Sequence, residues 1–369
     1  MKSILKPGIH WLAIFIPLAF ALAWIPALHN ELALFGSSLL GMMVVSAWIG
    51  DATEQLAKRI GPTWGGMLNA AFGNLPELIF GLIAIGKGLG PLVKAAWTGA
   101  VISNLLVVIG ASMIAGGLRH GTLKFHVERA NDASTSMLIA AVAVFLPSIY
   151  AQARGFTHGQ MASDFVEDIS LWISALLLTA YVAGIIRTVL VSKEEDAARR
   201  LENTDQPTPA EVDADAWPVN LAAGLLGVAS FLIALLSDFV SDSVDSVKSG
   251  LGWSDLFIGV IVIALIGNMA ALFSAVKMAK KNQMDLSFEI GMSAGAQISL
   301  LVVPVLVIAS RWLGHPVDAQ FSFPEVASIF GTILITTQIA QDGRSNWLNG
   351  VQMLILYAMI AVMFFYLPG

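Results

Sequence analysis

The chain has 369 residues, 56% of them hydrophobic and only 12% charged, and a formal net charge of −6. Soluble domains carry about 25% charged residues, so this composition excludes a soluble enzyme and a disordered chain. The 20 Lys and Arg against 26 Asp and Glu exclude a basic nucleic-acid-binding surface, and the absence of cysteine excludes disulfides, thiolate metal sites and cysteine nucleophiles.

A helix that spans a bilayer needs about 20 mainly apolar residues. Eleven segments are expected in chain order: Ile9–Leu28, Leu32–Ile49, Thr63–Ile85, Ala95–Leu118, Ala133–Tyr150, Ile169–Val191, Val219–Val240, Leu256–Met278, Phe288–Ala309, Pro324–Ala340 and Trp347–Leu367. The runs are continuous, not alternating as in a membrane barrel, so the fold class is all-α integral membrane and the lipid bilayer is the first partner. Lys2 and Lys6 precede the first run as in a signal peptide. Its apolar stretch is longer than a signal core and no convincing small-residue cleavage site follows, so it is read as a retained span. Asp51–Ile60 sets Ala52, Leu56 and Ile60 on one helical face, which predicts an interfacial helix.

Lys193–Ala216 holds eight acids against three bases, with Pro207 and Pro209, and reads as a solvated linker. A cation-attracting tether or regulatory site is its alternative reading. The chain therefore divides into a leading helix (1–30), a five-helix unit (31–192), an acidic cytoplasmic linker (193–217) and a second five-helix unit (218–369). With eleven crossings, Lys87, Lys94, Arg154, Lys248 and Arg311 fall on one side of the membrane and the other fifteen of the 20 basic residues on the opposite side. Positive residues mark the cytoplasmic face. The N-terminus is expected inside and the C-terminus outside, in a plasma (inner) membrane.

The two units share a pattern. Gly73-Asn74 lies in the third segment (AFGNLPELI) and Gly267-Asn268 in the eighth (LIGNMAALF), 194 residues apart. The same offset sets Glu77 on Ala271, Gly99 on Ser293 and Ser103 on Gln297. Five segments separate the copies, an odd number, so they run antiparallel. This is the inverted repeat of secondary transporters, with the binding site near the midplane.

Glu77 is the one carboxylate expected deep in a span, where a charge costs about 2.5–3.5 kcal/mol on insertion scales and is functional by default. Pro76 beside it interrupts the helical ladder, which is tolerated where the backbone lines a cavity. Glu77, Asn74, Ser103, Asn104, Asn268, Ser293 and Gln297 offer carboxylate, amide and hydroxyl oxygens. Such donors suit Ca²⁺ or Na⁺; packing between helices is the bland alternative for the uncharged ones. The six histidines lie near span ends or in loops, and none has a second ligand at i+3 or i+4, which argues against Zn or Cu. Burial also favours the protonated carboxyl, so one group able to hold a proton or a cation is a minimal exchange device. No Walker-type loop is found, which argues against ATP-driven pumping. Asp238, Asp242 and Asp245 form either an acidic mouth that concentrates cations or a solvated helix end. No catalytic residue and no cofactor are expected; inorganic cations and protons are the other partners, and a homo-oligomer is left open.

Carried by NAAFGNLPELI, VISNLLVVIG, MSAGAQISLLVVPVL, DGRSNWLNGVQMLILYAMIAVMFFYLP and GDATEQLAKRIGPTWGGMLNA, the chain resembles the cation/proton exchanger (CAX) family of calcium/proton antiporters, within the calcium:cation antiporter superfamily. The resemblance implies one leading span, two inverted five-span repeats around an acidic segment, and exchange of cytosolic Ca²⁺ for external protons. It implies that Glu77 is the metal-binding carboxylate of the first repeat, with Asn74, Ser103 and Asn104 around it and Gln297 and Ser293 as second-repeat counterparts. The chain departs from the family where Gly-Asn-Ala-Ala-Glu-His is usual. Here Ala271 and Leu272 stand in the last two places, so the second carboxylate is absent. Asn349 stands where Glu is usual, and Leu75 and Ala100 replace small family residues; these changes are expected to remove polarity or add bulk near the core. A Ca²⁺/H⁺ antiporter weakened at its second carboxylate is the expected function. A monovalent cation (Na⁺ or K⁺)/proton antiporter and a transport-silent scaffold are the alternatives.

Overall fold

A computed structural model of the chain describes residues 9–60, 72–125, 127–153, 160–201 and 217–367. These residues are almost wholly helical. In order the helices are α1 (Phe15–Trp24), α2 (Glu31–Ile60), α3 (Leu75–Gly86), α4 (Gly90–His120), α5 (Val127–Ala153), α6 (Gln160–Leu201), α7 (Val219–Leu251), α8 (Asp255–Gly267), α9 (Met269–Lys280), α10 (Met284–Trp312), α11 (Phe323–Gln341) and α12 (Trp347–Tyr366).

Seven of these helices are long and apolar enough to cross a membrane: α2, α4, α7, α10, α11, α12 and the Phe165–Arg187 part of α6. The pair α8 and α9 makes an eighth when taken as one span bent by 52°. Three shorter apolar helices, His10–Trp24, Leu75–Gly86 and Met137–Tyr150, lie where the first, third and fifth segments are expected. By length and composition, seven or eight helices among the described residues pass as spans, and that test does not reach the expected count of eleven.

Several boundaries differ from expectation. The first segment is broken: a tight 3₁₀ stretch (Ile9–Ile14) precedes α1, and Pro26 starts another at Pro26–Leu28. Asp51–Ile60 is no separate interfacial helix but the end of α2, because no proline interrupts the run and Ala52 and Thr53 are buried. The third segment begins as a helix only at Leu75; residues 63–71 lie outside the described residues, as do most of the acidic linker and Lys2 and Lys6. The part of the linker up to Leu201 continues α6. Strands were not expected, yet Leu123–Lys124 (β1) pairs antiparallel with Arg344–Ser345 (β2).

The offset of 194 persists in the structure. Leu75–Gly86 corresponds to Met269–Lys280 and Gly90–Ser103 to Met284–Gln297. Each of the latter pair passes into one wide turn with i→i+5 hydrogen bonds, at Asn104–Val108 and at Ile298–Val302. Such wide turns recur at functional sites.

Two packing contacts position the site. Helix α2 lies along α7 in the most extensive helix pairing, and α3 also packs on α7. Helix α4 meets α8 at Gly99 and Gly259: a Cβ on Gly99 would collide with the Val260 carbonyl, and one on Gly259 with Ala95 and Ala96. That close approach brings the polar end of α4 against the break between α8 and α9. A strap from Val317 to Phe321 closes the end of α10. Its buried residues Val317, Ala319 and Phe321 donate their backbone N–H groups to the hydroxyls of Ser310, Ser170 and Ser148 at 2.9, 3.0 and 2.7 Å.

Candidate functional site

Asn-Leu-Pro-Glu reads as a helix start: an N-cap residue, Pro in the first turn and an acid at the third position. The structure uses it so. Asn74 precedes α3, Pro76 is in its first turn, and Glu77 occupies the first turn as well. A negative charge there is favoured by the helix dipole, by about 0.3–1 kcal/mol at exposed sites and up to ~2 when partly buried. Asn268 precedes α9 in the same way, and Ala271 takes the place of Glu77.

Neither asparagine caps its own helix with its side chain. Asn74 instead donates to the Gln297 side-chain carbonyl at 2.6 Å, and Gln297 donates to the Ser293 hydroxyl at 2.9 Å, one helical turn back. Asn268 donates to the Ser103 hydroxyl at 2.5 Å and to the Ala100 carbonyl at 3.1 Å, while it accepts from Asn104 at 3.1 Å. Each network joins one half of the chain to the other. Asn74, Ser103, Asn104 and Asn268 are buried; Gln297 and Ser293 are half-buried.

Glu77 stands between the networks. Its Oε1 lies beside the backbone of Gly267, 3.1 Å from where a Cβ would be. Its Oε2 is enclosed and has no hydrogen-bond partner among the described residues, as is also true of Asn104 Oδ1. Two buried acceptor oxygens without donors, one of them on a carboxylate, form a setting that favours a cation or a proton. A cavity of about 30 Å³ adjoins Glu77, walled mainly by apolar side chains of α3, α4, α8 and α10. Among the described residues no three His, Asp or Glu side chains converge, so Glu77 is not backed by an acidic cluster.

The structure thus gathers Glu77, Asn74, Gln297 and Ser293, and Asn268, Ser103 and Asn104, around the start of α3 and the break between α8 and α9. Ala271 and Leu272 lie in the first turn of α9 and are not on the cavity wall. Asn349 is a correction. It lies at the start of α12, off the cavity wall, where it forms a reciprocal capping box with Asn346: the Asn346 N–H donates to its side chain at 3.0 Å. Asn satisfies the local geometry there in place of Glu, so no site polarity is lost. Leu75 only opens α3, whereas Ala100 does line the cavity.

The acidic run is also corrected. Helix α7 extends to Leu251, so Asp238, Asp242 and Asp245 sit along it. Asp238 and Asp242 hold Lys87 at 2.5 and 2.6 Å, and Lys248 lies 3.7 Å from Asp245 and 3.0 Å from Asp255. Basic partners neutralise much of the expected mouth. Burial alone would lower the affinity of Lys87 for its proton, but the hydrogen bonds and charges of Asp238 and Asp242 outweigh it and hold its pKa above the ordinary lysine value.

Sequence reasoning missed the Ala100 carbonyl and Trp97, and gave Gly267 only as half of the repeated Gly-Asn pair. Carbonyls leave no mark on a pattern of side chains. Trp97 carried a signal: a polar indole N–H inside an apolar run, which needs a partner when buried.

The model of the sodium/calcium exchanger protein family matches residues 30–190 and 221–366. The Ca²⁺/H⁺ antiporter of Aphanothece halophytica is 35% identical over 367 residues, covering 97% of this chain and 96% of the relative. The solved structure of native YfkE superposes with a TM-score of 0.82 at 30% identity, over 98% of this chain and 100% of that one. The crystal structure of the H⁺/Ca²⁺ exchanger CAX shares the fold, with a TM-score of 0.71 at 13% identity over 97% of this chain and 91% of that one.

Proposed function

The chain belongs to the sodium/calcium exchanger protein family, and on that premise we propose that it is a secondary transporter exchanging Ca²⁺ for H⁺ across a membrane. The observation that carries this reading is Glu77: an enclosed carboxylate with one oxygen unpartnered among the described residues, in the first turn of α3, beside two amide networks that join the halves of the chain. The Ca²⁺/H⁺ antiport of the Aphanothece relative supports it.

The exchange follows from competition at one group. Protonated, Glu77 is neutral and tolerable in low dielectric. Deprotonated, it needs a cation, and the oxygens of Asn74, Asn104 and Gln297 lie in the networks around it. Asn268, Ser103 and Ser293 hold these amides in place. Proton and Ca²⁺ exclude each other at Glu77, so flux of one against the other is coupled without ATP.

The equivalence of element bounds at offset 194 supports the division into residues 1–30, 31–192, 193–217 and 218–369, with two inverted units. Counting α8 and α9 as one bent span, and the three shorter apolar helices as spans, gives eleven crossings. With that count the basic-residue asymmetry supports a cytoplasmic N-terminus and an outside C-terminus, and we infer a plasma (inner) membrane location.

A second reading is favoured by one observation. Ala271 takes the place equivalent to Glu77, so the site carries one carboxylate and neutralises one unit of charge. A monovalent cation (Na⁺ or K⁺)/proton exchanger fits that count better. Radiolabelled calcium and sodium uptake into proteoliposomes under an imposed pH gradient separates the two. Calcium uptake supports the proposal, sodium uptake alone supports the second reading, and neither leaves a silent scaffold.

A further inference from the structure

Trp97 lies on the face of α4 that carries Val93, Ala96 and Ala100, and all four line the cavity beside Glu77. It is 4% exposed, and its indole Nε1–H is buried with no hydrogen-bond partner among the described residues. An unmade hydrogen bond from a buried donor destabilises a fold. On the wall of the same cavity, Glu77 Oε2 is a buried acceptor with no donor among the described residues. An indole N–H can only donate and an ionised carboxylate can only accept. The remaining side chains of the cavity wall are Met, Pro, Phe, Val, Ala and Ile, so among the described residues each group is the other's only side-chain complement there.

The two are not in direct hydrogen bond, and the space between the walls, about 30 Å³, exceeds the ~10–15 Å³ that one water needs. We propose that Trp97 is a positioning residue for exchange: its indole N–H holds a water in this cavity, and that water donates to the Glu77 carboxylate. The bridge stabilises the ionised, cation-ready form of Glu77 and is displaced when the cation or proton arrives. This role rests on the reading of Glu77 as the exchange group.

Other charged groups on the helices packed around the cavity are held elsewhere. Asp238 and Asp242 bind Lys87, Asp255 binds Lys248, Lys94 binds Asp318, Arg311 binds Asp168, and Glu325 accepts from Thr98 and Ser322. Asp51 and Glu54 of α2, Asp245 of α7, and Asp285 and Glu289 of α10 are not on the cavity wall.

The test is the pH profile of calcium/proton exchange in proteoliposomes for the parent, Trp97→Phe, Trp97→Tyr and Glu77→Gln. Phenylalanine keeps a ring and removes the donor. Loss of a charge-assisted bond makes deprotonation harder, so the midpoint of the Trp97→Phe profile moves to higher pH by about one unit, and Trp97→Tyr, which restores a donor, moves it back. A packing role lowers amplitude without moving the midpoint, and an unmoved midpoint overturns the proposal. Where Trp97→Phe reconstitutes poorly, the pH midpoint of calcium binding to the solubilised protein reads the same shift. Undiminished exchange by Glu77→Gln overturns the functional reading itself; loss of exchange in Glu77→Gln with an unmoved midpoint in Trp97→Phe overturns only the role of Trp97.

Discussion

Asn104 donates to the side-chain carbonyl of Asn268 at 3.1 Å, across 164 positions of the chain. The bond ties the wide turn of α4 to the break between α8 and α9, and Asn268 passes it on to Ser103 and the Ala100 carbonyl. Removing Asn268 takes the acceptor from the buried Asn104 amide, while Ser103 and the Ala100 carbonyl keep each other, at a cost of up to about 3 kcal/mol. Asn268→Ala should therefore destabilise the protein by up to about 3 kcal/mol and abolish coupled flux. Thermal unfolding in detergent beside flux in proteoliposomes checks this; an unchanged melting temperature contradicts it.

Ala271 offers the clearest gain. It stands in the first turn of α9 as Glu77 stands in the first turn of α3. A unit charge pair at 4 Å and an effective dielectric of ~20 is worth roughly 4 kcal/mol before desolvation. A net gain of about 1.4 kcal/mol is tenfold in affinity. Ala271→Glu, alone or with Leu272→His, should raise Ca²⁺ affinity at least about tenfold, read by calorimetry at equal protein. No change in affinity would mean that other groups supply the second charge.

Lys87 ties the end of α3 to α7. Its pKa is raised in the folded protein, so its contribution to stability is fully present below the unfolded lysine value and is lost as pH rises through the folded one. Lys87→Met should destabilise by about 1 kcal/mol at neutral pH, a partly exposed ion pair being worth little. On the alkaline side the difference should vanish only as pH rises through the raised Lys87 pKa. A deficit that disappears near neutrality would contradict the assignment to the Lys87 ammonium.

The strap should matter for stability and not for binding. Ser170→Ala leaves the buried N–H of Ala319 without its 3.0 Å acceptor and should lower stability by about 1–2 kcal/mol. Calcium affinity should be unchanged. A shift in affinity at constant stability would place the strap in the site.

Much of this architecture was legible in the residues. Continuous apolar runs marked the helices, and Gly-Asn at an offset of 194 marked the starts of α3 and α9, because glycine and asparagine before a new helix leave a recognisable start signal. The pairing of Asn74 with Gln297 and of Asn104 with Asn268 was not legible. Side chains over 160 positions apart meet only through helix packing, and no local pattern encodes which amide faces which. Asn349 was misplaced for a related reason: a polar change within a motif gives no depth, whereas in the structure it caps α12 at the helix end. The extension of α7 past Val240 was hidden because serines and aspartates lower the apolar signal without ending a helix.

Glu77 carries the account, and one substitution addresses it. Glu77→Gln keeps the size and hydrogen-bonding capacity of the side chain but removes its charge and its exchangeable proton. Radiolabelled calcium uptake driven by a pH gradient should be measured in proteoliposomes holding equal amounts of folded parent and variant. The account predicts that the parent couples calcium entry to proton exit and that the variant folds yet shows no gradient-driven uptake. Full proton-driven uptake by Glu77→Gln would contradict it.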